Sequence, residues 1–355
     1  MTVTTVAAAN QVDQWAKKFF VEYVRDNRFK RFMGMDQNSI IQTVMDLTAK
    51  AGDDVTVSIL QRLQNAGVTG DDTLEGNEEQ FINRGYKVTV DQLRNAVVHG
   101  KMEAKKTQLD LLKGAKFALK DWAMEKLRDA IIEKLGSPNV DGVEAYSSAS
   151  EAEKDAHLAA NADRYLFGNA VSNNASNDHS AALAEVDSTN DTLDTGIVSL
   201  AQRRIKTADP HIRPVKVAED EEFYVMFVGS LGMRDLENDT AMLQANREAR
   251  NRGVSNPLFR GGDLLWRNVL IREIPEISVI SGVGNSGIDV EPYYLCGAQA
   301  IIVAWGEKTH PIDDTFDYGN KRGVGIAEIR GVAKPTYNSV QHGVLTGFVS
   351  GVADS

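Results

Sequence analysis

Ten consecutive residues, Gly70-Asp71-Asp72-Thr73-Leu74-Glu75-Gly76-Asn77-Glu78-Glu79, hold five carboxylates, one amide and two glycines. Side chains of this kind, this close together, support several chemistries. Asp71, Asp72, Glu75, Asn77, Glu78 and Glu79 could offer oxygen ligands to a hard cation. They do not follow the D-x-[DN]-x-[DN]-G spacing of a calcium loop. Asn77 with Glu78 and Glu79 could instead cap a short helix. The carboxylates could pair with basic groups on a neighbouring chain. Two of them (Asp71, Asp72 or Glu78) could also act as acid and base of a hydrolase. No aromatic residues that would stack a sugar cluster near them in sequence, so capping and intersubunit pairing are the favoured readings, and no metal or catalytic residue is assigned.

The other chemical candidates are weaker. Gly282-Val283-Gly284-Asn285-Ser286-Gly287 matches G-x-G-x-x-G, but Ile288-Asp289-Val290-Glu291-Pro292 follows it. A dinucleotide site needs a helix opening at the third glycine, and Pro292 comes too soon for one, so the stretch reads as a glycine-rich loop between β segments. Phosphate-loop, nucleophile-elbow and zinc-protease motifs are absent from the sequence. The six histidines are scattered without ligand spacing. His310 with Asp313 and Asp314 is read as a turn after Pro311 rather than a metal site. Cys296 is the one cysteine. Its apolar neighbours mark it as a buried, inert thiol, and no intrachain disulfide can form. No cofactor is implied.

The elements around the acidic stretch give it a setting. Val55-Thr56-Val57-Ser58-Ile59-Leu60 alternates apolar with polar and predicts a strand. Tyr86–Leu93 predicts its return, so residues 52–104 read as a long hairpin with an elaborate tip. Lys106–Leu135 carries the clearest helical spacing, stopped by Gly136 and Pro138. Thirty residues at 1.5 Å would span about 45 Å, which suits a flat or elongated subunit. At the other end, Val12, Trp15, Phe19 and Tyr23 share one helical face. Arg25, Arg28, Lys30 and Arg31 then form a basic cluster interleaved with Phe29 and Phe32. That cluster is either the outer side of a helix lying on a core or part of an arm that meets another subunit or phosphate.

Further along, Ile40–Leu47 contains good helix formers. Residues 137–195 are rich in Ser, Asn, Asp and Ala and read as loop plus short helices, anchored at Tyr165-Leu166-Phe167. Thr192–Lys206 and Leu236–Arg252 predict helices, with Gly253 capping the second and Gly261-Gly262 making a turn. Phe223–Val228 predicts a buried strand. Val269–Ile271, Ile277–Ile280, Gly325–Ile329 and Gly343–Val349 predict further strands, and Leu295–Trp305 a deep core segment. Strands and helices mix without a βαβ repeat, which favours α+β.

At 355 residues, 42% hydrophobic, the chain can bury a sizeable core. A net charge of −11 argues against a dedicated nucleic-acid reader. The start lacks the pattern of a signal peptide, and no apolar run is long enough to cross a bilayer. The sequence thus reads as a soluble protein made in the cytosol, with no membrane partner.

Several segments together resemble the tailed-phage major capsid proteins of the coliphage N-four type, which have the Hong Kong 97 capsid fold. They are Met33-Gly34, Gly52-Asp53-x-Val55, Gly70-Asp71-x-x-Leu74-Glu75-Gly76-Asn77-Glu78-Glu79 and Val88-Thr89-Val90-Asp91-Gln92-x-Arg94-x-Ala96-Val97. Tyr224-Val225-x-Phe227-Val228, Asp235-Leu236, Arg247-Glu248-Ala249, Asn256-Pro257-x-Phe259, Leu295-x-Gly297-Ala298-Gln299-Ala300 and Phe316-Asp317-Tyr318-Gly319-Asn320 complete the set. One departure stands out: Gly229-Ser230 replaces the His-Pro pair that members tend to carry.

The resemblance implies an N-terminal arm (1–51), an extended loop (52–104) and a peripheral domain (105–220). The peripheral domain would be built on a spine helix (105–136) and include the Ser/Asn-rich segment 137–195. An axial domain (221–296) and a return to the peripheral domain (297–355) would follow. It further implies a non-enzymatic shell protein assembling as homo-hexamers and homo-pentamers into an icosahedral virion capsid in the host cytoplasm. Scaffold, cement and portal proteins would be partners, and packaged double-stranded DNA would lie non-specifically against the inner face. An encapsulin-like nanocompartment shares the fold and is the alternative; a carboxylate hydrolase is the more distant one. Within the shell reading, Asp71, Asp72, Glu75, Glu78, Glu79, Arg25, Arg28, Lys30 and Arg31 are the expected intersubunit contacts.

Overall fold

The computed structural model describes residues 27–45, 54–60, 67–79, 83–106, 110–138, 145–218, 221–250 and 264–354. The expected helix over Val12–Tyr23, Arg25, the Gly253 cap, Asn256-Pro257-x-Phe259 and the Gly261-Gly262 turn lie outside them.

In chain order, a 3-10 turn over Arg28–Phe32 leads to β1 (Met33–Gly34), β2 (Ile41–Val44), β3 (Asp54–Leu60), β4 (Asn83–Thr89) and β5 (Asp91–Gly100). Two helices follow, α1 (Lys101–Lys106) and α2 (Leu111–Gly136). Next come α3 (Glu151–Ala160), β6 (Tyr165–Phe167), α4 (His179–Ala184) and α5 (Thr195–Thr207). Then β7 (Val215–Ala218), β8 (Glu221–Val228), α6 (Ser230–Asn238), α7 (Thr240–Arg250), β9 (Leu264–Trp266) and β10 (Val269–Glu273). The chain closes with β11 (Val290–Cys296), β12 (Ile301–Phe316), β13 (Lys321–Ala333), β14 (Thr336–Tyr337), β15 (Val340–Gln341) and β16 (Val344–Ser350). The mixture is α+β.

Two sheets organise these elements. One has the order β1-β2-β12-β13-β5; the other runs β6-β16-β11-β8-β10-β9, with β7 beside β8. β8 explains how they join. Its side chains alternate faces, as in any strand. Tyr224, Met226 and Val228 enter a core with Ile197, Val198, Ala201 and Ile205 of α5. Val225 and Phe227 enter a second core with Phe29, Phe32, Ile131 and Leu135 of α2, and Ile301 and Val303 of β12. The apolar run expected as a buried strand is therefore buried on both faces, as continuous apolar strands are.

Helix α2 is the long element that the helical spacing over Lys106–Leu135 predicts, but it starts later. Asp110 accepts a hydrogen bond from Lys113 N at 3.1 Å and caps the helix there. Its 26 residues span ~39 Å at 1.5 Å each. Ala115, Leu119, Ala123, Ile131 and Leu135 are buried, at spacings that share a face. Leu119 and Ala123 pack against Val324 and Ile326 of β13.

Five local expectations differ from the structure. Tyr86–Leu93 is not one returning strand: it divides at Val90 between β4, which pairs with β3, and β5, which pairs with β13, so the hairpin expected over residues 52–104 ends at Thr89. Ile41–Val44 is a strand, because its neighbour Ile301–Ala304 pairs with it in parallel register. Leu236–Arg252 is not one helix: α6 and α7 meet at Asp239, whose carboxylate accepts bonds from Thr195 N at 3.0 Å and Ala241 N at 3.2 Å. Pro311 makes no turn but lies inside β12, opposite Ile326. Beyond Ala304, β12 pairs with β13 alone among the described residues. Proline is tolerated on such an edge because one side of the strand needs no donor. Within Ile277–Ile280 only Ile280 makes a bridge, to Val290.

Candidate functional site

The acidic stretch belongs to a hairpin that forms a sheet of its own. β3 and β4 pair antiparallel from Asp54↔Thr89 to Leu60↔Asn83, and residues 61–82 connect them. Gly70 to Glu79 are all exposed. The stretch is turns rather than a helix, so Asn77 caps no helix. Internal bonds shape it: Asn77 N donates to the Leu74 carbonyl (2.9 Å), Asn77 Nδ2 to the Thr73 carbonyl (2.9 Å) and Gly76 N to Glu78 Oε2 (2.8 Å). Gly70 and Gly76 sit at φ 71° and 91°, conformations that glycine adopts without a Cβ penalty. Leu74 is 61% exposed amid the acids.

The base of the hairpin is fixed to the first sheet. Val55 and Val88 pack with Ile302, Ala304 and Ala333. Tyr337 Oη donates to the Val57 carbonyl at 3.2 Å, and its ring lies edge-on to Tyr86. Lys87 pairs with Asp54 across the hairpin at 2.5 Å and holds that carboxyl below the usual range. Gly331 leaves room for the chain to pass: a Cβ there would lie 2.2 Å from the Thr89 carbonyl oxygen. We expect Gly331→Val to lift the hairpin base and cost about 1–3 kcal/mol of stability. An unchanged urea midpoint would show that the close approach is dispensable.

The basic cluster is divided by its aromatic neighbours. Phe29 and Phe32 are buried against Phe227, with ring centroids 4.9 Å and 5.4 Å away in edge-to-face geometry. That faces the intervening side chains outward. Arg28 stays within its own chain, donating to the Glu273 carbonyl (2.8 Å) and pairing with its carboxylate (3.1 Å). Lys30 and Arg31 are exposed. The structure thus places Arg28 at the end of β10 and the acidic loop at the end of the β3–β4 hairpin.

A groove of about 460 Å³ lies between α2 and the β12–β13 sheet. Leu119, Ala123, Trp305, Val324 and Ile326 make its walls apolar, and Lys116 and Lys120 border it. Sequence reasoning did not find it, because its two sides are about two hundred positions apart: Lys116 Nζ pairs with Asp313 Oδ2 at 2.8 Å. The Glu328 carboxylate in the groove is already held by Arg330 Nε and Thr309 Oγ1, both at 2.6 Å.

Buried charges were likewise illegible. Glu291, 1% exposed, accepts from Leu231 N and Gly232 N at the start of α6, and burial raises its pKa. This accounts for Gly229: a Cβ there would lie 2.0 Å from Glu291 Oε1. Lys334 Nζ donates to the Leu135 (3.3 Å) and Ser137 (2.6 Å) carbonyls, closing the end of α2. Burial lowers its pKa to about 7. Cys296 is fully buried, and burial pushes its thiol well above the ordinary range. The glycine-rich stretch 282–287 forms turns, with Gly282 and Gly287 at positive φ and no helix opening at Gly287. Among the described residues no three His, Cys, Asp or Glu side chains gather as a metal-ligand set.

A family model described as phage capsid protein matches residues 3–348. The major capsid protein of Pseudomonas phage KPP25 is 26% identical over 346 residues, covering 92% of this chain and 89% of that one. The solved chain of the Cyanophage Pam1 capsid asymmetric unit is 37% identical with a TM-score of 0.91, covering 100% of both chains. The capsid of Ralstonia phage GP4, at 24% identity and 100% coverage of both, has a TM-score of 0.78. The architecture is the Hong Kong 97 capsid fold that the sequence resemblance implied. A match over nearly the whole length, made by both sequence and backbone, assigns this chain to the phage capsid proteins, a structural and non-enzymatic family.

Proposed function

We propose that the chain is the major capsid protein of a tailed double-stranded DNA phage, self-assembling as hexamers and pentamers into an icosahedral shell around the genome. The full-length 37% identity to a chain of an assembled cyanophage capsid carries this reading. Within the family, the segments quoted above support the coliphage N-four type. The division into arm, extended loop, peripheral domain and axial domain follows from the same resemblance. So do scaffold, cement and portal partners, non-specific contact with packaged DNA on the inner face, and assembly in the host cytoplasm.

The mechanism is additive. Each copy lays a projecting hairpin on a neighbour, and many modest contacts made at once become strong through multivalency. Electron microscopy and native mass measurement of the purified protein test this. Shells or capsomers are the expected species; a small monodisperse species under every assembly condition would overturn the reading. Charge reversal in the hairpin loop, Glu78→Lys with Glu79→Lys, should abolish most particle formation, since like charges brought together cost several kcal/mol. The circular dichroism of the unassembled subunit should stay that of wild type. Wild-type particle yield from the reversed chain would remove these acids from the interface.

A further inference from the structure

We propose that a cavity between the end of α2 and the β11–β16 strand pair binds a small uncharged aromatic molecule that carries an acceptor oxygen. The inference goes beyond the shell reading and does not depend on it.

The cavity measures about 440 Å³, a size typical of small-molecule sites. Two cross-strand pairs make its floor, Pro292 opposite Phe348 and Tyr294 opposite Thr346. Strand alternation puts all four side chains on one face of the sheet. Ile132 of α2, Tyr146 and Ile280 supply the walls. Glu133 and Ser278 also line the cavity and are exposed, which places them at its mouth.

Two hydroxyls in the floor carry the assignment. Thr346 is 2% exposed, and its Oγ1 is buried without a hydrogen bond, with the Tyr165 hydroxyl as a near neighbour. Tyr294 is 4% exposed, and among the described residues no hydrogen bond engages its hydroxyl. Buried polar groups are ordinarily paired, because an unpaired one has given up its bonds to water for nothing. Burial raises the Tyr294 pKa well above the ordinary range, so the phenol keeps its proton and can donate it. Gly136 keeps the space beside it clear: a Cβ there would stand 2.7 Å from the Tyr294 hydroxyl. A ligand oxygen accepting from Tyr294 supplies the missing partner.

The rest of the lining sets the body and charge of the ligand. The rings of Tyr146, Tyr294 and Phe348 suit a flat aromatic molecule. Among the described residues no Lys, Arg or His lines the cavity, and Glu133 is the one ionised group there. An anion would meet that carboxylate and no counter-charge. A cation would exchange its hydration for a half-exposed carboxylate that Lys134 already pairs at 3.5 Å.

Calorimetric titration of the purified full-length chain with acetophenone, benzoate and ethylbenzene tests the proposal. The probes share a ring and differ in carrying a neutral acceptor, a charged one and none. Acetophenone should saturate one site and bind about 3- to 10-fold more tightly than ethylbenzene, the factor expected of one hydrogen bond. Benzoate should bind weakest. Tyr294→Phe should erase the difference between acetophenone and ethylbenzene while leaving ethylbenzene binding at its wild-type value. Equal weakening of both probes would mean that the hydroxyl only supports the fold, and the assigned contact would fall. Ser278→Trp, a change at an exposed position, should plug the mouth and abolish binding of all three.

No saturable binding of acetophenone would leave the cavity to water and overturn the proposal. Undiminished binding to the Ser278→Trp chain would place the probe elsewhere and overturn it too. Release of bound acetophenone when the chain assembles would make a second copy the occupant, and the small-molecule reading would be lost while the shell reading stood.

Discussion

Replacing Phe227 with alanine should be among the most destabilising single substitutions in the chain, at about 3–5 kcal/mol. The ring is fully buried and receives both Phe29 and Phe32 edge-on. Truncation removes its apolar surface from the core and leaves a cavity that the fixed sheet cannot close. It also frees the segment Arg28–Phe32, whose two aromatic anchors lose their seat. Urea unfolding of the unassembled subunit measures the loss. Phe29→Ala and the double variant complete a cycle, and a coupling of about 0.5–1.5 kcal/mol is expected for the ring pair. Purely additive effects would mean that the two rings act through separate contacts.

A second large effect is acid sensitivity of the lobe around α3, β6 and α4. His157 and His179 are buried at 0% and 2% exposure. Burial lowers their pKa values to about 3 and about 4. His342, against Tyr337, is lowered to about 4 by burial as well. Glu151 lies 3.6 Å from His179 Nδ1, but that carboxylate is half exposed and does not offset the loss of water around the ring.

The sign follows from proton uptake. As pH falls below the ordinary imidazole pKa of about 6.5, the unfolded chain binds protons that the folded chain refuses. Stability is therefore present above about pH 6.5 and lost progressively towards about pH 3–4, with a slope up to about 1.4 kcal/mol per unit for each such histidine. Carboxylates contribute little between about pH 6.5 and pH 5, so that interval isolates the histidines. Unfolding free energies of wild type and of His157→Gln should diverge in slope there, with the variant flatter. Parallel curves would show that His157 is not held neutral by burial.

The sequence revealed elements whose cause is local and hid those whose cause is distant. α2 was legible because Leu119, Ala123 and Ile131 repeat at helical spacing and Gly136 with Pro138 stops them. Its start was misplaced because Asp110 looks like any surface acid until its side chain is seen on Lys113 N. β2 was hidden because Ile41-Gln42-Thr43-Val44 is made a strand by a neighbour some 260 positions away. The Ser/Asn-rich segment 137–195 reads as polar, yet Leu158, Tyr165, Phe167, Leu183 and Val186 build a core with Phe348 of β16. A few well-placed apolar residues suffice when the receiving sheet is supplied from elsewhere. For the candidate site, the turn glycines and flanking strands located the acidic loop. The groove between α2 and the β12–β13 sheet stayed hidden, since nothing in Lys116 or Lys120 announces a cavity built from Trp305 and Ile326.

One strand has a mechanical consequence. Side chains of β8 enter two cores on opposite faces, one holding α5 and the other the end of α2. Close-packed interiors transmit strain rather than absorb it. A container wall pressed from within is loaded in tension, and a tile whose two halves share a rib stretches as one piece. In such a tile the load passes to the joints with its neighbours before either half can yield alone.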